Sequence, residues 1–196
     1  MSEQLVPTIS ALDRLKRTTQ RSSLDDAINA RTKRSLLLLD CSGSMDMRVK
    51  SGQRRIDQLR KVVDQIRSNN RVPLAAFGIN TPTEVGLVDV IPEPSGGTPM
   101  HLAIELGRSL EANHLIVVTD GCPDSQELAL DAARRFGGPI DVFFIGDEGD
   151  RGARFCEDLA RATGGKFGVT DLAGDGGTKA LAGKIVALLG DGSEVL

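Results

Sequence analysis

The chain has no tryptophan and no tyrosine, and only six phenylalanines among its 196 residues. Bulk in the core must therefore come from Leu, Val and Ile. Stacking on unpaired bases needs aromatic faces, so this scarcity argues against a reader of single strands. Excess basic charge is missing as well. The 24 Lys and Arg stand against 27 Asp and Glu, a net charge of -3, which argues against a general nucleic-acid binder. Cysteine is sparse: three residues, an odd number without framework spacing, do not make a disulfide scaffold. A cytoplasmic protein with reduced thiols is the simplest expectation. The first residues, Met1-Ser2-Glu3-Gln4, are polar and acidic. No apolar stretch after them is long enough for a signal peptide or a membrane helix, so no membrane partner is expected.

What is present is organised around Leu36-Leu37-Leu38-Leu39-Asp40-Cys41-Ser42-Gly43-Ser44. Four apolar residues in a row suit a strand buried on both faces, as in a parallel sheet. The acid and two hydroxyls that follow would stand at the carboxyl edge of that sheet, where ligands bind in open α/β folds. These donors are hard oxygens, which suit Mg²⁺, Mn²⁺ or Ca²⁺ and not zinc.

The rest of the chain alternates strand and helix. Ile56, Leu59, Val62, Val63 and Ile66 recur at helical spacing, predicting a helix over 54–68. Strands are expected over 72–78, 84–90 (an edge strand), 114–119, 140–145 and 166–169. Helices are expected from Thr98-Pro99 to about Glu111, with Pro99 at the first helical position, from a Ser125 cap to Phe136, over 153–163 and over 178–189. This pattern predicts an α/β fold: a doubly wound, mostly parallel, Rossmann-like sheet with helices on both faces. The domains read as a short helical extension over 1–33, one domain over 34–190 and a tail over 191–196. Basic residues in the extension suit a solvated helix face better than a partner-binding arm.

Three loops should meet at the carboxyl edge. They carry Asp40, Ser42 and Ser44, then Thr98 after Ser95-Gly96-Gly97, then Asp120 in Thr119-Asp120-Gly121. Together these pieces, in this order and each at an element boundary, resemble the complete metal-ion-dependent adhesion site of von Willebrand factor A domains. The resemblance covers about residues 34–189. It implies that Ser42 and Ser44 bind a metal directly and that Thr98 does so when ligand is engaged. Asp40 and Asp120 would act through metal-bound waters. It also implies Mg²⁺ as cofactor, with Mn²⁺ or Ca²⁺ as alternatives, and a protein partner that completes the site with a Glu or Asp carboxylate. An intracellular bacterial or phage-type member is expected, working in a multiprotein system of the kind that includes AAA+ ATPases. Each piece alone also has a plainer reading: a strand-to-helix cap at Asp40 and the serines, a helix cap at Thr98, a turn at Asp120.

The leading expectation is a binding module and not an enzyme. The rival is a haloacid-dehalogenase-like, Mg²⁺-dependent phosphohydrolase with Asp40 as nucleophile, although that chemistry wants a second acid where Ser42 stands. A purely structural subunit is the third reading. No dinucleotide fingerprint follows the first strand, and neither histidine has an evident Ser or Cys partner. Cys41 and Cys122 are expected as small buried thiols near the site. His101 is expected on a helix surface, and Asp46, Asp124 and Asp147 are expected in loops at the same edge.

Overall fold

The apolar run forms β1 (Ser35–Asp40), and each of its residues is buried. A computed structural model describes residues 33–49, 52–68, 71–81, 83–146, 149–170, 172 and 175–189. The expected extension, apart from Lys33, and the expected tail lie outside the described residues. After β1 come α1 (Arg55–Arg67), β2 (Leu74–Ile79), β3 (Glu84–Leu87), α2 (Met100–Ser109) and β4 (His114–Thr119). Then follow α3 (Gln126–Phe136), β5 (Ile140–Ile145), α4 (Arg151–Thr163), β6 (Phe167–Thr170) and α5 (Asp175–Leu189). The strands lie in the order β3-β2-β1-β4-β5-β6. All neighbours pair in parallel except β3, which runs antiparallel to β2 at the edge. The chain leaves β1 toward β2 on one side and returns to β4 on the other. The gap between β1 and β4 is thus the switch point, where α/β sheets bind ligands outside the carboxyl ends.

Alternation along β1 divides the core. Leu37 and Leu39 pack with α1 and α5 on one face. Leu36 and Leu38 pack with α2, α3 and α4 on the other. A fully buried Leu contributes about 1.5–3 kcal/mol, so a polar residue anywhere in this run would unseat the central strand. Ser125 caps α3 by accepting the Leu128 N–H, as expected. On α5, Ile185 and Leu189 are buried, while Val186 and Leu188 are partly so. This helix starts one turn earlier than its sequence pattern suggests, with Gly176 and Gly177 inside it. Glycine disfavours helix, but burial of Leu181, Ala182 and Ile185 outweighs that local cost. Among the described residues, no helix is long and apolar enough to cross a membrane.

At the amino edge of the sheet, His114 corrects the expectation that neither histidine has a Ser or Cys partner. Its Nδ1 lies 2.8 Å from Ser35 Oγ and its Nε2 lies 2.9 Å from Asp141 Oδ2. A carboxylate only accepts, so Nε2 carries the proton toward Asp141. Asp141 Oδ1 also accepts the Lys166 N–H at 2.5 Å. All three side chains are buried, so this Ser–His–Asp chain is closed to any substrate and clamps β1, β4 and β5 together. Burial opposes ionisation of Asp141, but the His114 and Lys166 donors win and hold its pKa below the ordinary carboxylate value. A depressed folded pKa contributes stability above the unfolded value, about 3.9, and loses it as pH falls through the folded value. Urea unfolding of wild type and Asp141→Asn should therefore show a constant gap above about pH 5 that narrows below about pH 4.

Candidate metal centre

Asp40 ends β1 with no exposed surface. Its Oδ1 accepts the Ser42 N–H at 2.8 Å, and its Oδ2 accepts the Thr119 hydroxyl at 2.5 Å. Ser42 opens a single 3-10 turn, Gly43–Asp46, without capping it through its side chain. Instead Ser42 Oγ stands 3.0 Å from Ser44 Oγ, and Ser44 Oγ donates to Asp120 Oδ1 at 2.6 Å. Asp40, Ser42, Ser44 and Asp120 therefore form one hydrogen-bonded chain across the switch point. The plain capping role of the serines is not what their hydroxyls do.

Thr98 is brought to the rim of this chain but not into it. Its loop is zipped to the Ser42 turn: Gly43 N–H donates to Gly96 O at 3.0 Å, and Ser95 N–H donates to Cys41 O at 3.0 Å. On the other side Thr98 N–H donates to Asp124 Oδ1 at 2.9 Å, and Asp124 N–H donates to Thr98 O at 3.0 Å. Asp124 thus ties the Thr98 loop to the Asp120 loop, a task that loop position alone did not reveal. Pro99 does not occupy the first helical position, as expected, but the cap position before it. At φ -77 and ψ 57 it makes a tight turn in which Met100 N–H reaches Thr98 O at 2.8 Å. The Thr98 hydroxyl does not cap α2, and among the described residues it has no hydrogen-bond partner.

Two glycines make these approaches possible. Gly78 has φ +74, and a Cβ there would overlap the Gly97 carbonyl oxygen and stand 2.9 Å from Ser42 N. A Cβ on Gly97 would stand 2.8 Å from the Asp124 carboxylate.

The electrostatics are those of carboxylates crowded out of water. Burial, and then the charge of Asp120, push the Asp40 pKa well above the ordinary carboxylate range, against the hydrogen bonds from Ser42 and Thr119. Arg55, at the start of α1, donates from Nη1 to Asp120 Oδ2 at 2.6 Å. Nothing in the sequence separates Arg55 from the neighbouring Arg54, Arg60 and Lys61. Arg54 serves an outer ring, bonding Asp46, Asp57 and Glu93. Arg60 bonds Asp57, Glu93 and the Ile91 and Pro92 carbonyls. Surface pairs of this kind are worth about 0–1 kcal/mol each, but together they lash both site loops to α1.

The other candidates stand apart. Cys41 is buried, and burial, then the Asp40 charge, push its thiol up to about 12. Cys122 is only half-buried, contrary to expectation, and so is His101, whose Nδ1 is enclosed without a partner. Asp147 lies outside the described residues. Among the described residues no three His, Cys, Asp or Glu side chains cluster to hold a metal. The candidate donors are instead two carboxylates and three hydroxyls, the set that a hard dication takes.

A von Willebrand factor type A protein from Catenulispora acidiphila matches 77% of this chain with a TM-score of 0.56 at 18% identity. The fold is von Willebrand factor A-like. A mutant of the PilB minor pilin from Streptococcus sanguinis matches 81% of the chain, with a TM-score of 0.56 at 14% identity. The A-like chain spans 42% and 62% of the lengths of these two proteins. No family model matches it, and no curated protein matches it.

Proposed function

We propose that this A-like domain is a metal-dependent protein-binding module, one component of a multiprotein assembly. Ser42 and Ser44 would hold Mg²⁺ or Mn²⁺ directly, Thr98 would join them when ligand is engaged, and Asp40 and Asp120 would hold its waters. When bound, the cation supplies a positive centre open to one Glu or Asp carboxylate of a partner protein. The chain's own residues prepare that centre. Asp40 fixes the Ser42 backbone. Asp120 accepts the Ser44 hydroxyl's hydrogen bond, which turns the oxygen of Ser44, not its hydrogen, toward the Ser42 side where a cation would sit. Neutral hydroxyls as direct ligands leave most of the ion's charge for the partner.

The observation that carries this reading is the 3.0 Å separation of the Ser42 and Ser44 hydroxyl oxygens. Adjacent ligands of an octahedron with Mg–O bonds of ~2.0–2.1 Å lie ~2.9 Å apart, while Ca²⁺ at ~2.3–2.6 Å would want ~3.3–3.7 Å. The nucleophile reading fits less well: both Asp40 oxygens already accept hydrogen bonds, the carboxyl is buried, and Ser42 stands where the second acid is needed.

The test begins with capture of partners from the native host in Mg²⁺ against EDTA, followed by surface plasmon resonance with the purified partner in saturating Mg²⁺. Thr98→Ala removes one hydroxyl from the rim without touching the serines and should weaken binding about five- to 150-fold, the equivalent of ~1–3 kcal/mol. Thr98→Ser keeps the oxygen and should bind nearly as well as wild type. Equal binding by the two variants would sink the proposal. Release of phosphate from p-nitrophenyl phosphate in an Asp40-dependent manner would favour the enzyme instead.

A further inference from the structure

Arg55 touches the candidate site, yet metal binding assigns it no task. The Asp120 side chain is fully enclosed, while that of Arg55 remains 20% exposed. One Asp120 oxygen takes the Ser44 hydroxyl and the other takes the Arg55 guanidinium. Asp40 lies buried close by, raised in pKa partly by Asp120. A carboxylate enclosed in this way cannot be hydrated, so a positive group has to accompany it. Arg55 is that group, with its Nη1 2.6 Å from Asp120 Oδ2. Its backbone is held by the bond from Arg55 N–H to Met47 O at 3.0 Å, so only the side chain is free to leave. Arg54 is differently placed, occupied by three acids of the outer ring.

A guanidinium and a divalent cation satisfy the same carboxylate and repel each other. We propose that Arg55 is an internal counter-ion that competes with the metal: it neutralises Asp120 in the metal-free domain and swings toward solvent when the cation binds. This rests on the metal-binding reading of the site given above. Its consequence is that the metal affinity of the wild-type chain is weaker than its oxygen donors alone would give.

Calorimetric titration with Mg²⁺ and with Mn²⁺ tests it, using full-length wild type, Arg55→Gln, Arg55→Lys and Arg67→Gln. Removing a unit charge next to the site should tighten binding about tenfold in Arg55→Gln. Arg55→Lys, which keeps the charge, should stay near wild type. Arg67→Gln makes the same change in net charge at the far end of α1 and should also stay near wild type. Thermal melts guard against misfolding: metal-free Arg55→Gln should melt below wild type, and saturating Mg²⁺ should raise its melting temperature by more than it raises that of wild type. If wild type takes up metal but Arg55→Gln binds it equally or more weakly, the counter-ion role is overturned and the metal reading stands. If no form takes up metal, Arg55→Gln included, both are overturned.

Discussion

Asp120→Ala should lower Mg²⁺ affinity by two orders of magnitude or more, roughly 3 kcal/mol, and leave the fold in place. Three losses coincide at this one side chain. A negative charge disappears from a site that must attract a dication. The Ser44 hydroxyl loses the acceptor at 2.6 Å that orients it. The Arg55 guanidinium loses its partner at 2.6 Å and, even where it turns to solvent, leaves its positive charge near the site uncompensated. Hydrogen bonds to charged groups are worth about 1.5–3 kcal/mol each, so the sum readily reaches this size. Stability should suffer less. Breaking a buried pair by removing one member costs up to about 3–5 kcal/mol, but Arg55 is partly exposed and can rehydrate, and Asp40 is relieved of a like charge. Asp120→Asn, which keeps the shape, should fall between the alanine variant and wild type. Isothermal calorimetry with Mg²⁺ and Mn²⁺ is the measurement, and equal uptake by Asp120→Ala and wild type would refute the metal assignment.

The parts of this molecule that could be read from the sequence are those governed by local pattern. The Leu36–Leu39 run announced a strand covered on both faces, and alternation of strand and helix announced the parallel sheet and its layers. Ser125 stood out as a cap because capping depends on residues three positions apart. The placing of Asp40 and Asp120 at two strand ends followed from the same patterns once the strands were assigned. What was not legible depends on which elements lie side by side. Ser35 and His114 are 79 residues apart and meet only because β1 neighbours β4. Asp124 reads as an ordinary loop acid until the Thr98 loop is folded against it. Arg55 is one of several basic residues on α1, and its choice of Asp120 is decided by how the helix start lies against the Asp120 loop. Pro99 was misplaced by one residue for a more local reason, since a proline suits both a first helical position and a tight turn.

Gly78→Ala should be strongly damaging, costing about 3 kcal/mol or more and abolishing Mg²⁺ uptake. Two penalties add. At φ +74 the backbone lies where an L side chain is disfavoured by about 1–2 kcal/mol. The new Cβ would also overlap the Gly97 carbonyl and crowd Ser42 N at 2.9 Å. Those atoms belong to backbone, so no side chain can swing aside to make room. The Gly78 carbonyl accepts the Gly96 N–H at 2.9 Å, so any shift at Gly78 carries the Thr98 loop with it. For a chain of this length, ~3 kcal/mol corresponds to a fall in melting temperature of roughly 6–12 °C. Gly137→Ala separates the two penalties. It has φ +72 at the end of α3, with nothing within 4 Å of its Cβ, so it carries the backbone cost alone. It should lose only about 1–2 kcal/mol and keep its metal binding. The excess loss in Gly78→Ala then measures how tightly the Ser42 and Thr98 loops are packed against the end of β2. If Gly78→Ala is no worse than Gly137→Ala, or still takes up Mg²⁺ like wild type, the loops are free to give way, and the close packing at Gly78 is not what sets their positions.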